Sequence, residues 1–192
     1  TRDPPFLVSS AFPYADKSLL FPLPRNVNFS DYTKDKRFKK VDFVSRPVFE
    51  RIASGEDLKE FIAGENLVQG DRILLTKEER SIVGTKSIWN RSQVPRVAID
   101  RKTHSSNIYH FGEISFAENC GFYFLMELRK TEYEGKVKAA IRVLGDEGVG
   151  GDRTYGKGLF KAGFEDGEMN SERKSHFVTL SLYYPRTEEV SM

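Results

Sequence analysis

Between Gly145 and Phe160 the chain reads GDEGVGGDRTYGKGLF, with Gly145, Gly148, Gly150, Gly151, Gly156 and Gly158 surrounding Arg153 and Lys157. In ordered backbone each glycine costs roughly 0.5–1 kcal/mol relative to alanine, so such a run implies positive φ angles or close backbone approach. Successive amides in such turns form concave nests that hold anions, and the two cations suit the same ligand. Three readings stand open. Gly151 to Lys157 matches the start of a nucleotide phosphate loop, GxxxxGK, but Gly158 occupies the place of the Ser or Thr that ligates magnesium. The segment also joins helix to strand, whereas a phosphate loop joins strand to helix. A long flexible connection is the second reading. The third is a cradle for a sugar-phosphate backbone, with amides on phosphates and Arg153 and Lys157 supplying charge.

Other groups offer less local chemistry. Arg96, Arg101 and Lys102 either contact phosphates or form a solvated surface around Asp100. Tyr109 and Phe111 either stack bases or fill a core. The run TKDKRFKK places Lys34, Lys36, Arg37, Lys39 and Lys40 together, a solvated charged loop by default or a face toward RNA or another subunit. His104, His110 and His176 are the only histidines, and His104 beside Ser105 and Ser106 is the one grouping suited to acid–base cleavage of RNA. No carboxylate cluster has metal-ligand spacing. Asp146, Glu147 and Asp152 among the glycines either hold a cation or, the reading preferred here, order the segment through Asx-type turns. The sequence thus implies no catalytic residue, metal or cofactor.

The elements that must position these residues fit within 192 residues carrying 39% hydrophobic side chains, enough for a core. Thirty Lys and Arg against 28 Asp and Glu are too balanced for charge alone to announce a nucleic-acid binder. One cysteine, Cys120, excludes an intrachain disulfide or multi-cysteine zinc site, fits a reducing compartment, and leads us to expect a cytoplasmic protein. Only two glutamines accompany the high charge, a thermophile-like trait. No apolar run reaches the ~18 residues of a membrane span. Thr1 is no initiator methionine and nothing near it reads as a signal peptide, so we expect part of the parent protein to be absent.

Thr1 to Asn28 spaces Pro4, Pro5, Pro13, Pro22 and Pro24 among Phe6, Phe12, Tyr14 and Phe21. This predicts an extended strap pinned by its aromatics, and no central strand. A short strand at Val41 and Phe43 should lead into a helix opening before Pro47 and ending at Gly55. A second short helix is expected over Asp57 to Ala63, while Asp71 to Arg91 resists assignment. Asn107 to Phe116 and Gly121 to Leu128 predict a hairpin around Asn119, with Phe122 to Met126 buried on both faces. Val137, Ala140, Ile141 and Leu144 mark one stripe of a helix from Glu134. Strands are then expected over Leu159 to Phe164 and Phe177 to Tyr184, with a helix starting at Thr187-Glu188-Glu189. The sum is an α+β sandwich of helix on antiparallel sheet.

The glycine segment, led by Leu144-Gly145-Asp146-Glu147, resembles the glycine-rich loop of the RAMP proteins of CRISPR effector complexes. Pro95-Arg96-Val97-Ala98-Ile99-Asp100-Arg101-Lys102-Thr103, followed by Ser105 to Tyr109, is similar to the subunit of type III-A (Csm) complexes that caps the 5′ end of the crRNA. The strap SSAFPY…LLFPLPRN and the Lys39 to Ser45 strand share that likeness. The resemblance implies two ferredoxin-like (RRM-like) modules, both incomplete in this chain. Residues 1–95 would be the remainder of the first, and residues 96–192 the second. It also implies that Gly148, Gly150, Gly151, Arg153, Gly156, Lys157 and Gly158 grip the 5′ tag of the crRNA, with Arg96, Arg101 and Lys102 nearby. The implied partners are that RNA, the large polymerase/cyclase-like effector subunit and the backbone RAMP subunit, with no membrane and no nuclease activity. The alternative is a metal-independent endoribonuclease processing CRISPR precursor RNA, using His104 or His176.

Overall fold

The computed structural model describes residues 4–25, 27–99, 101–102, 105–169 and 178–182, apart from the side chain of residue 30. The elements run β1 (Phe6–Val8), β2 (Phe12–Ala15), β3 (Ser18–Pro22), β4 (Phe43–Ser45), α1 (Arg46–Ser54), β5 (Leu67–Val68) and β6 (Ile73–Leu74). There follow α2 (Lys77–Val83), β7 (Trp89–Ile99), β8 (Ser106–Phe116), β9 (Cys120–Tyr123), β10 (Met126–Leu128) and α3 (Glu134–Glu147). The protein is α+β. It divides into two compact units, Thr1–Ser10 with Leu125–Met192, and Ala11–Phe124. Pro95 and Arg96, which flank the expected module boundary, lie inside β7 of the Ala11–Phe124 unit.

That unit is built on a six-stranded sheet ordered β5-β6-β4-β3-β2-β9, antiparallel except where β4 runs beside β6. The β2–β3 turn places Asp16 at φ 53°, a left-handed conformation that Asp tolerates better than most residues. Leu20, Phe21, Val44, Ile73, Leu74, Leu75 and Ile88 are fully buried, each such apolar side chain contributing about 1.5–3 kcal/mol. Helix α1 seals one side with Val48 and Phe49, the latter ring stacked 4.7 Å from Phe21. Pro47 sits in its first turn and Gly55 caps it at φ 72°, as the sequence predicts. The strap aromatics Phe12 and Phe21 are buried.

The strap nevertheless enters the sheet interior, against expectation. Strand β2 carries Pro13 and is flanked by both β3 and β9. The β3 ladder engages only Tyr14 and Ala15, so Pro13 has a single strand neighbour, Phe122 of β9. The helix expected over Asp57 to Ala63 is one 3-10 turn, Lys59–Phe61. Asp57 accepts the Lys59 amide at 3.0 Å, a local bond that competes with helix propagation. The unassigned stretch holds β6 and α2, the latter started by a reciprocal Thr76–Glu79 capping box.

The hairpin expected around Asn119 does not form. Strand β8 pairs instead with β7 along eleven residues, from Trp89 opposite Phe116 to Ile99 opposite Ser106. The run after Asn119 breaks at Phe124–Leu125, where the chain passes from one unit to the other. Its first half, β9, pairs with β2, and its second, β10, pairs with β1. Burial on both faces fails accordingly: Phe122 is 59% exposed and Phe124 41%.

In the other unit, β1 and β10 align Phe6 with Leu128 and Val8 with Met126. The amides of Arg129 and Lys130 both donate to the Pro5 carbonyl, at 2.9 and 3.0 Å. Helix α3 runs through Glu147, three residues past the expected Leu144. Residues 159–164 form no strand, because Phe160 bonds back to Gly145 rather than to a neighbouring strand. Val178 to Leu182 form none either, although the Leu180 carbonyl accepts the Ser10 amide at 2.8 Å. Phe177, Tyr183, Tyr184 and Thr187 to Glu189 lie outside the described residues.

Candidate nucleic-acid interface

Helix α3 delivers the chain into the glycine segment. Gly148 ends it at φ 80°, its amide donating to the Leu144 carbonyl at 2.8 Å. The segment then folds back on itself. Val149 donates to the Gly158 carbonyl at 3.0 Å and Phe160 to the Gly145 carbonyl at 3.1 Å, so two bonds clasp its ends. At the bend, the carbonyl of buried Asp152 accepts the amides of Tyr155 and Lys157, while Gly156 donates to Arg153. A 3-10 turn over Arg153–Tyr155 results, capped by Gly156 at φ 72°.

Five of the six glycines fall into two kinds. A Cβ on Gly145 would stand 2.5 Å from the Phe160 carbonyl oxygen, and one on Gly148 would stand 2.8 Å from that of Lys157. One on Gly158 would overlap the backbone of Val149. These three are side-chain-free because the loop packs on itself. Gly150 and Gly156 have open space around the Cβ position but hold φ 103° and 72°, where an L residue is strained.

On this frame Arg153 and Lys157 are exposed at the bend, with Tyr155 between them 71% exposed. Two cations flanking an exposed phenol can hold phosphates and stack a base. Tyr155 escaped the sequence reading, although its place inside Arg153-Thr154-Tyr155-Gly156-Lys157 is the cation–aromatic interleaving that signals such a surface. On α3, Lys138 and Arg142 both approach the Phe164 ring, at 5.5 and 5.2 Å from its centroid.

The remaining expected site residues belong to the other unit. Arg96 lies on β7 with its guanidinium 5.0 Å above the Phe111 ring, opposite exposed Tyr109 of β8. Arg101 and Lys102 are exposed in the connection from β7 to β8. The structure thus groups Gly148, Gly150, Gly151, Arg153, Gly156, Lys157 and Gly158 in one unit, and Arg96, Arg101 and Lys102 in the other. His104 and His176 lie outside the described residues, and His110 is exposed on β8 opposite Pro95. Among the described residues no three of His, Cys, Asp and Glu gather as a metal site. No helix among them is long and apolar enough to cross a membrane.

No family model matches the sequence. The chain is 31% identical to the CRISPR system Cms protein Csm4 of Thermococcus onnurineus, over 93% of this chain and 58% of the relative. It is 28% identical to the Csm4 protein of Methanocaldococcus jannaschii, over 67% of this chain and 41% of that one. It therefore spans about half the length of the curated relatives it matches. The fold is similar to one in a crystal structure of a Csm3–Csm4 subcomplex of the type III-A CRISPR-Cas interference complex. The TM-score is 0.57 at 22% identity, covering 77% of this chain and 50% of the other.

Proposed function

Since the chain is a Csm4 homologue across nearly its whole length, we propose that it works as an RNA-gripping structural subunit of a type III-A CRISPR ribonucleoprotein. In this role it holds the 5′ tag of the crRNA and bridges the large polymerase/cyclase-like subunit to the backbone RAMP subunit, in the prokaryotic cytoplasm. Residues 1–95 and 96–192 would be incomplete portions of the two ferredoxin-like modules that the resemblance implies. In this role it grips the RNA without cutting it.

The observation that carries the reading is the exposed Arg153–Tyr155–Lys157 bend on a self-clasped glycine frame. An anion meets two cations and an aromatic face there without the loop having to be rearranged. Arg101 and Lys102 add charge at the β7–β8 connection.

Titrating the full chain with single-stranded tag RNA across salt concentrations tests the proposal. Each neutralised phosphate contributes a log–log slope of about −0.7, so Arg153→Ala with Lys157→Ala should flatten the slope by about 1.4. Tyr155→Ala should weaken binding by roughly 1–3 kcal/mol with the slope unchanged, since stacking releases no counterions. Affinity and slope indifferent to all three changes would refute the interface. Site-specific, metal-free cleavage of repeat RNA would refute the non-enzymatic role.

A further inference from the structure

The basic run has a cavity beside it. In the Ala11–Phe124 unit, residues between Leu23 and Val41 line an open hollow of about 570 Å³, within the size range of small-molecule sites. Two of its lining residues, Phe29 and Phe38, are buried, with ring centroids 5.6 Å apart. Leu23, Val27 and Val41 add apolar wall, and Lys34, Lys36 and Lys39 line the same space.

The run is divided by its ion pairs. Arg37 is held by Asp35, with a guanidinium–carboxylate distance of 2.7 Å, and this hydrogen-bonded pairing keeps the Asp35 carboxyl below the usual range. Lys40 is paired with Asp71 at 3.3 Å. Lys34, Lys36 and Lys39 make no ion pair among the described residues. Asp35, the one carboxylate in the lining, already serves Arg37. Three exposed lysines with no ion pair among the described residues thus line a concave space with an apolar wall. Ammonium groups offer point charges and several donors, which suits the dense charge of a phosphate. The volume and wall suit the nucleoside attached to it.

We propose that this cavity is a nucleotide-phosphate site, with Lys34, Lys36 and Lys39 on the phosphate and Leu23 and Val27 against the nucleoside. The phosphate can come from a free mononucleotide or from one nucleotide of an RNA strand. The site is independent of the glycine bend and shares no residue with it.

Calorimetric titration of the full chain with AMP, adenosine and a short oligouridine tests the proposal and separates the two sources. We expect AMP to bind and adenosine not to. Combining Lys34→Gln, Lys36→Gln and Lys39→Gln should weaken AMP binding roughly tenfold or more, as loss of charge-assisted hydrogen bonds requires. The melting temperature should hold, since all three lysines are exposed. The single changes provide a second series should the triple variant melt early. Arg153→Ala with Lys157→Ala should leave AMP binding intact, so failure of the crRNA interface would not carry this site with it. If AMP fails to bind but the triple lysine variant weakens oligouridine, the strand is the source. Adenosine binding as tightly as AMP would overturn the proposal, as would lysine variants that bind both phosphate ligands like the wild type.

Discussion

Replacing the loop glycines one at a time by alanine separates the two reasons for their presence. At Gly156 the added Cβ meets open space, so the cost is that of a left-handed L residue, roughly 1–2 kcal/mol. At Gly158, also at positive φ (77°), a backbone cost of that order is joined by collision with the Val149 carbonyl. Overpacking adds about 1–3 kcal/mol, for a sum of roughly 2–5 kcal/mol. A global melt is a poor gauge, because the segment can open while α3 stays folded, which caps the apparent loss. Native-state hydrogen exchange at the Val149 and Phe160 amides reads the clasp directly, since these donate its two closing bonds. With tenfold per ~1.4 kcal/mol, exchange should accelerate from roughly thirtyfold up to the ceiling of free opening in Gly158→Ala. In Gly156→Ala it should change by roughly five- to thirtyfold. Equal exchange in the two variants would refute the division of the glycines into packing and conformational kinds.

Removing the Thr76 hydroxyl with Thr76→Ala should cost about 1 kcal/mol. It strips one half of the capping box from α2, and urea unfolding compared with Glu79→Ala and the double variant should show the two losses to be less than additive. Burial pushes the Tyr123 phenol above the ordinary tyrosine range, and its hydroxyl donates to the Leu20 carbonyl at 3.1 Å. The unfolded chain therefore loses this proton first, so the group's share of stability declines as pH rises through about 10, the unperturbed tyrosine value. Tyr123→Phe should lose about 1 kcal/mol near neutrality and show a shallower alkaline decline. Urea midpoints that fall in parallel for both proteins would contradict this assignment.

What the sequence made legible were features set by local rules. Pro47 and Gly55 bracket α1 because one tolerates a missing amide bond and the other a positive φ. The apolar spacing from Val137 to Leu144 locates α3, although the stripe is not buried as such spacing suggests, Leu144 being exposed. Strand pairing was less legible, since it is decided by partners far along the chain. Gly121 to Leu128 reads as one apolar strand, yet β9 goes to β2 and β10 to β1, more than a hundred residues earlier. Likewise β8 looks complete without β7, whose Asn90, Arg91, Ser92, Gln93 and Pro95 hide a strand among polar and proline residues. Thr76 and Glu79 carried a readable capping signal, masked by the short, charged helix behind it. At the candidate interface, the presence of Arg153 and Lys157 among the glycines could be read from composition. The burial of Asp152 and the display of Tyr155 could not, because both follow from how the loop closes.

That closure changes what glycine density implies. Six glycines in sixteen residues invite the inference that another molecule's backbone must come close. Here three of them admit the loop's own backbone, and the clasp from Gly145 to Phe160 needs no partner. The open space belongs to Gly150 and Gly156, at and beside the bend that carries the cations. A ligand therefore meets a hydrogen-bonded scaffold rather than a mobile tether, and binding is spared much of the loss of backbone freedom that ordering a loop entails. The packing glycines and the charged bend thus act on different terms of the same equilibrium. On the proposed reading, the first set how much order exists before RNA arrives, and the second would set the attraction on contact. A variant that opens the clasp should weaken RNA binding with an unchanged salt slope, whereas Arg153→Ala or Lys157→Ala should flatten the slope while the Val149 and Phe160 amides stay protected.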